Sequence, residues 1–279
     1  VIINHVGPIT EKVLGSTKNL KLIAVMRGGP VNINIKEASR RGIPVVNAPG
    51  RNGPVVAEYT IGMILAAVHN IAQAHADMRN RIWRGDFYVF EKSGFELDGK
   101  IAGLIGFGAI GSLVAKILRS FGMKVLVSDP FVQREAVEVV EAELVTLEEL
   151  LQKSDIVSLH ARLSQETYHM MSKKEFSLMK KGAVLINTAR GGLVNYKDLT
   201  ESLSSGHLGA AALDVYYDEP LPNDSLLYDL PNVVLTPHIG GSSKETARRA
   251  VQIVSEDIIN FLEGNPLKNC INREALEIS

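Results

Sequence analysis

Three polar side chains of complementary chemistry each follow a short apolar run in the last third of the chain. Arg190 follows Val184–Ala189, Glu219 follows Ala212–Asp218, and His238 follows Val233–Pro237. If each run is a strand of an open parallel sheet, all three lie at the strands' C-terminal edge, where such sheets bind ligands. An imidazole can give a proton to a carbonyl oxygen or take one from a hydroxyl. A carboxylate beside it can hold the imidazolium. A guanidinium can bind a carboxylate with two parallel hydrogen bonds and polarise a neighbouring carbonyl. Singly, each of these residues is most simply a solvated charge. Together they are the set needed to reduce a 2-oxo acid, which takes a hydride at C2 and a proton at oxygen.

A hydride needs a carrier, and the sequence contains a place for one. Gly106-Phe107-Gly108-Ala109-Ile110-Gly111 is a G-x-G-x-x-G run. The run alone is weak, but an expected strand precedes it and an expected helix follows. A second strand ends at Asp129, eighteen residues beyond Gly111 and close to the spacing of about 20 that dinucleotide sites use. Gly106 permits the tight turn, Gly108 leaves room for a pyrophosphate, and Gly111 lets the helix pack against the strand. The helix start offers free N–H groups to phosphate. Asp129 can accept from ribose hydroxyls and repel a 2′-phosphate, which favours NAD over NADP. This is the fingerprint of a Rossmann fold.

Elements must position these residues. Strands are expected at Val1–Asn4, Lys21–Val25, Pro44–Asn47, Ile101–Ile105, Lys124–Ser128, Ile156–Leu159, Ala183–Asn187, Ala210–Leu213 and Val233–Thr236. Short helices fall between them at Thr10–Leu14, Asn34–Arg40, Ala109–Phe121, Leu147–Lys153 and Tyr196–Ser205. This alternation predicts an α/β chain with a doubly wound parallel sheet. One long helix is expected over Val55–Arg79, with Ile61, Leu65, Val68 and Ala72 at helical spacing. Another is expected from about Lys244 to Gly264, opened by a capping box of Ser242 and Glu245. The tail Leu267–Asn272 is expected to join the first domain, and Trp83 and Phe87 to pack at the domain boundary. The predicted domains are residues 1–75 with 258–279, and residues 76–257.

The chain has 279 residues, 46% hydrophobic and 22% charged, with a formal net charge of -1. That is an ordinary globular composition with no bulk attraction to nucleic acid or an anionic membrane. Apolar runs such as Ile61–Val68 are too short to span a bilayer. The one cysteine, Cys270, fits a reducing, cytoplasmic setting. His69 and His75 lie six residues apart, off the i, i+4 spacing of a helical metal pair, so no metal site is expected. Val1 is not methionine and Val1–Asn4 reads as a buried strand, so a preceding N-terminal piece is expected.

Asn187–Gly192, Leu213-Asp214-Val215 with Asp218-Glu219-Pro220, and Thr236–Gly241 resemble the three signature stretches of the D-isomer specific 2-hydroxyacid dehydrogenase family. That family includes 3-phosphoglycerate dehydrogenases and glyoxylate/hydroxypyruvate reductases. The likeness runs from Leu22 to Asn272 and includes Arg41–Pro49, Val56-Ala57-Glu58 and Ser154–His160. It implies an NAD-dependent D-2-hydroxyacid dehydrogenase with a Rossmann cofactor domain and a smaller flavodoxin-like substrate domain. It also implies a homodimer joined through the cofactor domains and a small-molecule acid as substrate. The roles of Arg190, Glu219 and His238 would be those given above. Asp214 and Thr188 would sit near the nicotinamide, with His160, Thr167, Ala189 and Gly240 also touching cofactor. The amides of Gly28 and Gly29 match the loop that takes the substrate carboxylate. The chain departs from the pattern at Arg27 and Val31 beside that loop, and at Arg162 where proline is usual. An alternative within the same fold is an NAD-binding regulatory protein of the co-repressor type. Glyoxylate, hydroxypyruvate, 3-phosphohydroxypyruvate and sugar-derived acids all stay open as substrates.

Overall fold

The computed structural model describes residues 1–277. In chain order the elements begin β1 (Ile2–Asn4), α1 (Glu11–Ser16), β2 (Ile23–Val25), α2 (Ile35–Arg40), β3 (Val45–Val46), α3 (Gly53–Val68) and α4 (Ile71–Arg79). There follow β4 (Ile101–Ile105), α5 (Gly111–Ser120), β5 (Lys124–Ser128), α6 (Arg134–Glu138), β6 (Glu143–Leu144), α7 (Leu147–Lys153) and β7 (Ile156–Leu159). The chain continues through α8 (Lys173–Leu178), β8 (Val184–Asn187), α9 (Tyr196–Ser204), β9 (Ala210–Leu213), β10 (Val233–Leu235), α10 (Lys244–Glu263) and α11 (Arg273–Glu277).

Two compact units result, one of residues 1–52 with the described residues from 242 onward and one of Gly53–Gly241. The sequence-based boundaries lie further along the chain, at 75/76 and 257/258, and residues 278–279 of the expected tail lie outside the described residues. The difference follows from burial. Ile61, Ile64 and Val68 of α3 share a core with Ala102 and Leu104 of β4 in the larger unit. Ala250 and Val254 of α10 share one with Leu22, Ala24 and Val46 in the smaller.

The larger unit holds an all-parallel sheet in the order β10-β9-β8-β7-β4-β5-β6. Both faces are covered, so alternate strand residues feed different cores. Ile156, Val184, Ile186 and Ala212 face the core shared with α3 and α5. Val157, Leu185, Ala211 and Leu213 face the core shared with α7, α8 and α9. The strand order reverses direction at β4, which puts a switch point at the C-terminal ends of β4 and β7. The smaller unit has the parallel order β1-β2-β3. Its two faces are covered by α1 and α2 through Leu14 and Ala38, and by α10. Residues Asn269–Asn272 run antiparallel beside β3: Ile271 N donates to Val45 O (2.9 Å), and Asn272 Oδ1 accepts from Val45 N (2.9 Å).

Four expectations need correction. The helix expected over Val55–Arg79 is two helices bent by 69°, because Asn70 takes a left-handed backbone (φ 55°) that interrupts the hydrogen-bond ladder. Helix α10 is capped by Ser243, whose Oγ accepts from Thr246 N at 3.0 Å, so the Ser242–Glu245 box is displaced by one residue. Trp83 is 85% exposed, and β1 is an edge strand with Ile3 62% exposed rather than a buried one.

Candidate active site

The C-terminal ends of seven parallel strands form one edge of the larger unit, and the candidate residues leave the sheet there. Gly106 follows β4, Asp129 follows β5, His160 follows β7, Arg190 lies beyond β8, Asp214 follows β9 and His238 lies beyond β10.

The three glycines of the first loop are held by three different constraints. Gly106 has φ 98°, and a Cβ there would lie 2.7 Å from Ala161 N and from the His160 carbonyl carbon. A Cβ on Gly111 would lie 2.4 Å from Gly106 O. A Cβ on Gly108 would meet nothing within 4 Å, so that glycine faces open space at the start of α5. Asp129 steadies the loop: its Oδ2 accepts from Phe107 N at 2.7 Å, and its Oδ1 accepts from Phe131 N at 2.9 Å. An ionised carboxylate has about four acceptor positions, so capacity remains. His160 packs on the same loop with its Nε2 3.0 Å from Ser158 Oγ. Burial pushes its pKa down to about 4, which keeps the ring neutral at ordinary pH. Thr167 Oγ1 donates to Arg162 O (2.6 Å) and accepts from Ser164 N (2.8 Å), closing the loop after β7 on itself.

At the other end of the edge, His238 Nδ1 donates to Glu219 Oε2 at 2.6 Å. The second carboxylate oxygen of Glu219 accepts from Tyr216 N at 3.0 Å, so its orientation is fixed by backbone. The bond through Nδ1 leaves Nε2 of His238 free, and the side chain is 46% exposed. A cavity of about 610 Å3 opens beside the pair, lined by Glu219, Leu221, Tyr228, Pro237 and His238 among others. His238 itself has φ 55°, a left-handed backbone that is uncommon outside glycine and asparagine.

Buried Asp214 holds that backbone. Its Oδ1 accepts from Thr236 Oγ1 (2.7 Å) and Ile239 N (2.9 Å), and its Oδ2 accepts from Gly240 N (2.8 Å). These bonds clamp the loop on both sides of His238. Tyr216 adds a brace, with its hydroxyl 3.0 Å from both Leu213 O and Thr236 O. Burial raises its pKa to about 12, so the hydroxyl stays protonated and donating.

Arg190 is exposed, and its Nη1 donates to Ala189 O at 2.7 Å. Its loop is fixed by Asn187, whose Nδ2 donates to Arg190 O and whose Oδ1 accepts from Ala189 N. Among the described residues no hydrogen bond links Arg190 to Glu219 or His238. Thr188 is buried with its Oγ1 2.7 Å from Thr60 Oγ1. A Cβ on Gly191 would lie 1.9 Å from the Tyr216 carbonyl carbon, so the Arg190 loop and the Glu219 loop touch at backbone level. Sequence reasoning passed over Thr60, Gly191 and Tyr216. Only Gly191 carried a signal, as part of the Asn187–Gly192 stretch. In the smaller unit, Gly28 and Gly29 follow β2, and their N–H groups have no partner among the described residues. Among the described residues no cluster of three or more metal-ligating side chains occurs.

Residues 61–240 match the family model described as D-isomer specific 2-hydroxyacid dehydrogenase, NAD binding domain. The chain belongs to the D-isomer specific 2-hydroxyacid dehydrogenase family. It is similar to a D-3-phosphoglycerate dehydrogenase of Archaeoglobus fulgidus, 39% identical over 279 residues, all of this chain and 52% of the relative. It is also similar to a glyoxylate reductase of Korarchaeum cryptofilum, 36% identical over 97% of this chain and 82% of the relative. Among solved structures, the TT0316 protein from Thermus thermophilus superposes with a TM-score of 0.88 at 36% identity, covering 96% of this chain and 85% of that one. The chain thus spans about half the length of the first relative and more of the others. The larger unit is a nicotinamide-dinucleotide-binding domain of the Rossmann type.

Proposed function

We propose that the chain is an NAD-dependent D-2-hydroxyacid dehydrogenase that interconverts a 2-oxo acid and a D-2-hydroxy acid. The observation that carries this reading is the 2.6 Å His238–Glu219 hydrogen bond, on the same sheet edge as the glycine loop. When bound, the nicotinamide supplies the hydride for reduction and accepts it for oxidation. His238, protonated, donates from Nε2 to the carbonyl oxygen; neutral, it takes the hydroxyl proton in the reverse direction. Glu219 fixes the tautomer and stabilises the imidazolium, and the Tyr216 N–H keeps that carboxylate aimed. Arg190 turns its planar fork to the substrate carboxylate and polarises the carbonyl beside it. In the smaller unit, the amides of Gly28 and Gly29, without a partner among the described residues, are read as donors to a substrate carboxylate.

The open space at Gly108 and the spare acceptor capacity of Asp129 fit a dinucleotide. The Gly106–Gly111 loop would hold its pyrophosphate, with the N–H groups of Ala109 and Ile110 available beside the start of α5. Asp129 would take the ribose hydroxyls and select NAD. His160, Thr167, Thr188, Ala189, Asp214 and Gly240 would line the rest of the cofactor's path. The reading includes a cytoplasmic location and a homodimer, the latter supported by exposed Trp83, Tyr88 and Phe90 on the larger unit. The test is NADH consumption with glyoxylate, hydroxypyruvate, 3-phosphohydroxypyruvate and pyruvate. Turnover of at least one acid is expected, and none with any acid would contradict the reading.

A further inference from the structure

Two tyrosine hydroxyls are aimed at the backbone that carries Glu219 and His238. Tyr196 opens α9, and its ring packs against that of Tyr216 with centroids 6.4 Å apart and planes tilted by 40°. Its hydroxyl donates to Val215 O at 2.6 Å. That carbonyl belongs to the peptide whose N–H, on Tyr216, donates to Glu219 Oε1 at 3.0 Å. The other oxygen of Glu219 accepts from His238 Nδ1 at 2.6 Å. One chain of hydrogen bonds therefore runs from Tyr196, through a single peptide and one carboxylate, to the imidazole. A peptide is planar, so holding its carbonyl fixes the direction of its N–H. Val215 and Tyr216 are buried, and bonds in such a chain polarise one another where water is excluded.

The second hydroxyl reaches the pair from the other side. Tyr216 Oη lies 3.0 Å from Leu213 O, at the end of β9, and 3.0 Å from Thr236 O, just beyond β10. Thr236 O also accepts from His238 N at 3.1 Å, closing the tight turn in which His238 takes its left-handed backbone. Tyr216 thus meets Glu219 with its N–H and the His238 turn with its hydroxyl. Both hydroxyls keep their protons. Burial first, then the neighbouring Tyr216 hydroxyl and Glu219 carboxylate, raise the pKa of Tyr196, and burial is the first cause for Tyr216 as well. Filling space would need only the rings. Both hydroxyls end instead on carbonyls of the segments that flank Glu219 and His238.

We propose that Tyr196 and Tyr216 are positioning residues of the reaction. Tyr196 acts through the Val215–Tyr216 peptide to aim Glu219, and Tyr216 acts through Thr236 O to hold the His238 turn. The proposal rests on the reading of His238 as the acid/base group and Glu219 as its partner.

Steady-state kinetics of the whole chain, on the 2-oxo acid it reduces fastest, test this through a double-mutant cycle. Tyr196→Phe should lower kcat about three- to tenfold, the effect of one ordinary hydrogen bond, with NADH affinity unchanged. In a Glu219→Ala background the same substitution should have no further effect, because the peptide then has no carboxylate to aim. Tyr217→Phe should keep the wild-type kcat: its ring lies 5.9 Å from that of Tyr196, but the residue is 60% exposed. Wild-type kcat in Tyr196→Phe, a loss undiminished without Glu219, or an equal loss in Tyr217→Phe would each overturn the role of Tyr196. Tyr216→Phe should lower kcat by a similar factor with or without Glu219, since it acts on the His238 turn directly. It carries the test should Tyr196→Phe fail to fold, and a wild-type kcat there would sink the role of Tyr216. The ring Cε1–H resonance of His238, assigned by its loss in His238→Ala, gives an NMR readout independent of turnover. In Tyr196→Phe it should move toward its position in Glu219→Ala; an unmoved resonance would contradict the proposal. Wild-type kcat in Glu219→Ala alone would instead refute the acid/base pair on which the proposal rests.

Discussion

His238 adopts its left-handed backbone because Asp214 binds the two amides that follow it and the Thr236 hydroxyl before it. Asp214→Asn keeps the shape but turns one acceptor into a donor facing an N–H group. A buried donor left unsatisfied costs about 1–3 kcal/mol, and that loss should appear in denaturant unfolding. On the proposed role of His238 the activity lost should be larger, on the order of 10²-fold in kcat, because a small displacement of its imidazole is enough. Wild-type kcat in this variant would show that the clamp does not position His238. His160 makes a prediction about pH. Its folded pKa of about 4 lies below the ordinary 6.5, so between those values the unfolded chain binds more protons than the folded one. Stability from this group is complete above pH 6.5 and is lost as pH falls toward 4. In His160→Gln the fall in unfolding midpoint from pH 6.5 to pH 5, above the carboxylate range, should be smaller than in wild type; equal slopes would contradict it. Arg190, Glu219 and His238 stood out in the sequence as candidates because their types, placed after strands, suit one chemistry; the structure joins Glu219 to His238 by a hydrogen bond and leaves Arg190 bonded to Ala189 O. Thr60 was not, because its role depends on Thr188, 128 residues away, and a threonine in an apolar helix carries no sign of its partner.

The strand–turn–helix at β4 and α5 separates binding from folding by position alone. Gly108→Ala places a methyl in open space, so the unfolding midpoint should hold while NADH affinity falls by an order of magnitude or more. Gly191→Ala drives a methyl into the Tyr216 carbonyl carbon at 1.9 Å, backbone against backbone. It should destabilise by at least about 1–3 kcal/mol, the usual range for overpacking. Calorimetric unfolding with NADH titration on both variants checks the contrast; a Gly108→Ala variant that binds NADH normally would remove the pyrophosphate from that loop. Most strands were legible because strands buried on both faces read as short apolar runs bounded by turn residues. Two-residue β6 was not, since Glu143–Leu144 is too short to show a period. The break between α3 and α4 was also hidden: Asn70 sits in register with a helical pattern, and only its φ reveals the turn.

For the molecule as a whole, the order β10-β9-β8-β7-β4-β5-β6 gathers residues from Gly106 to His238 on one sheet edge with the strand reversal at β4. Alternation of strands and helices made this sheet legible in advance. The division into units was less so, because the apolar face of a helix does not say which core it enters, and α3 and α10 each supply one unit's core. The central claim is that this edge runs dinucleotide chemistry with His238 as its proton donor and acceptor. The most direct measurement compares wild type and His238→Ala for NADH binding by fluorescence titration and for NADH oxidation on the best 2-oxo acid. The account predicts unchanged NADH affinity and a loss in kcat on the order of 10²–10⁴. A variant that binds NADH and keeps the wild-type kcat would contradict it.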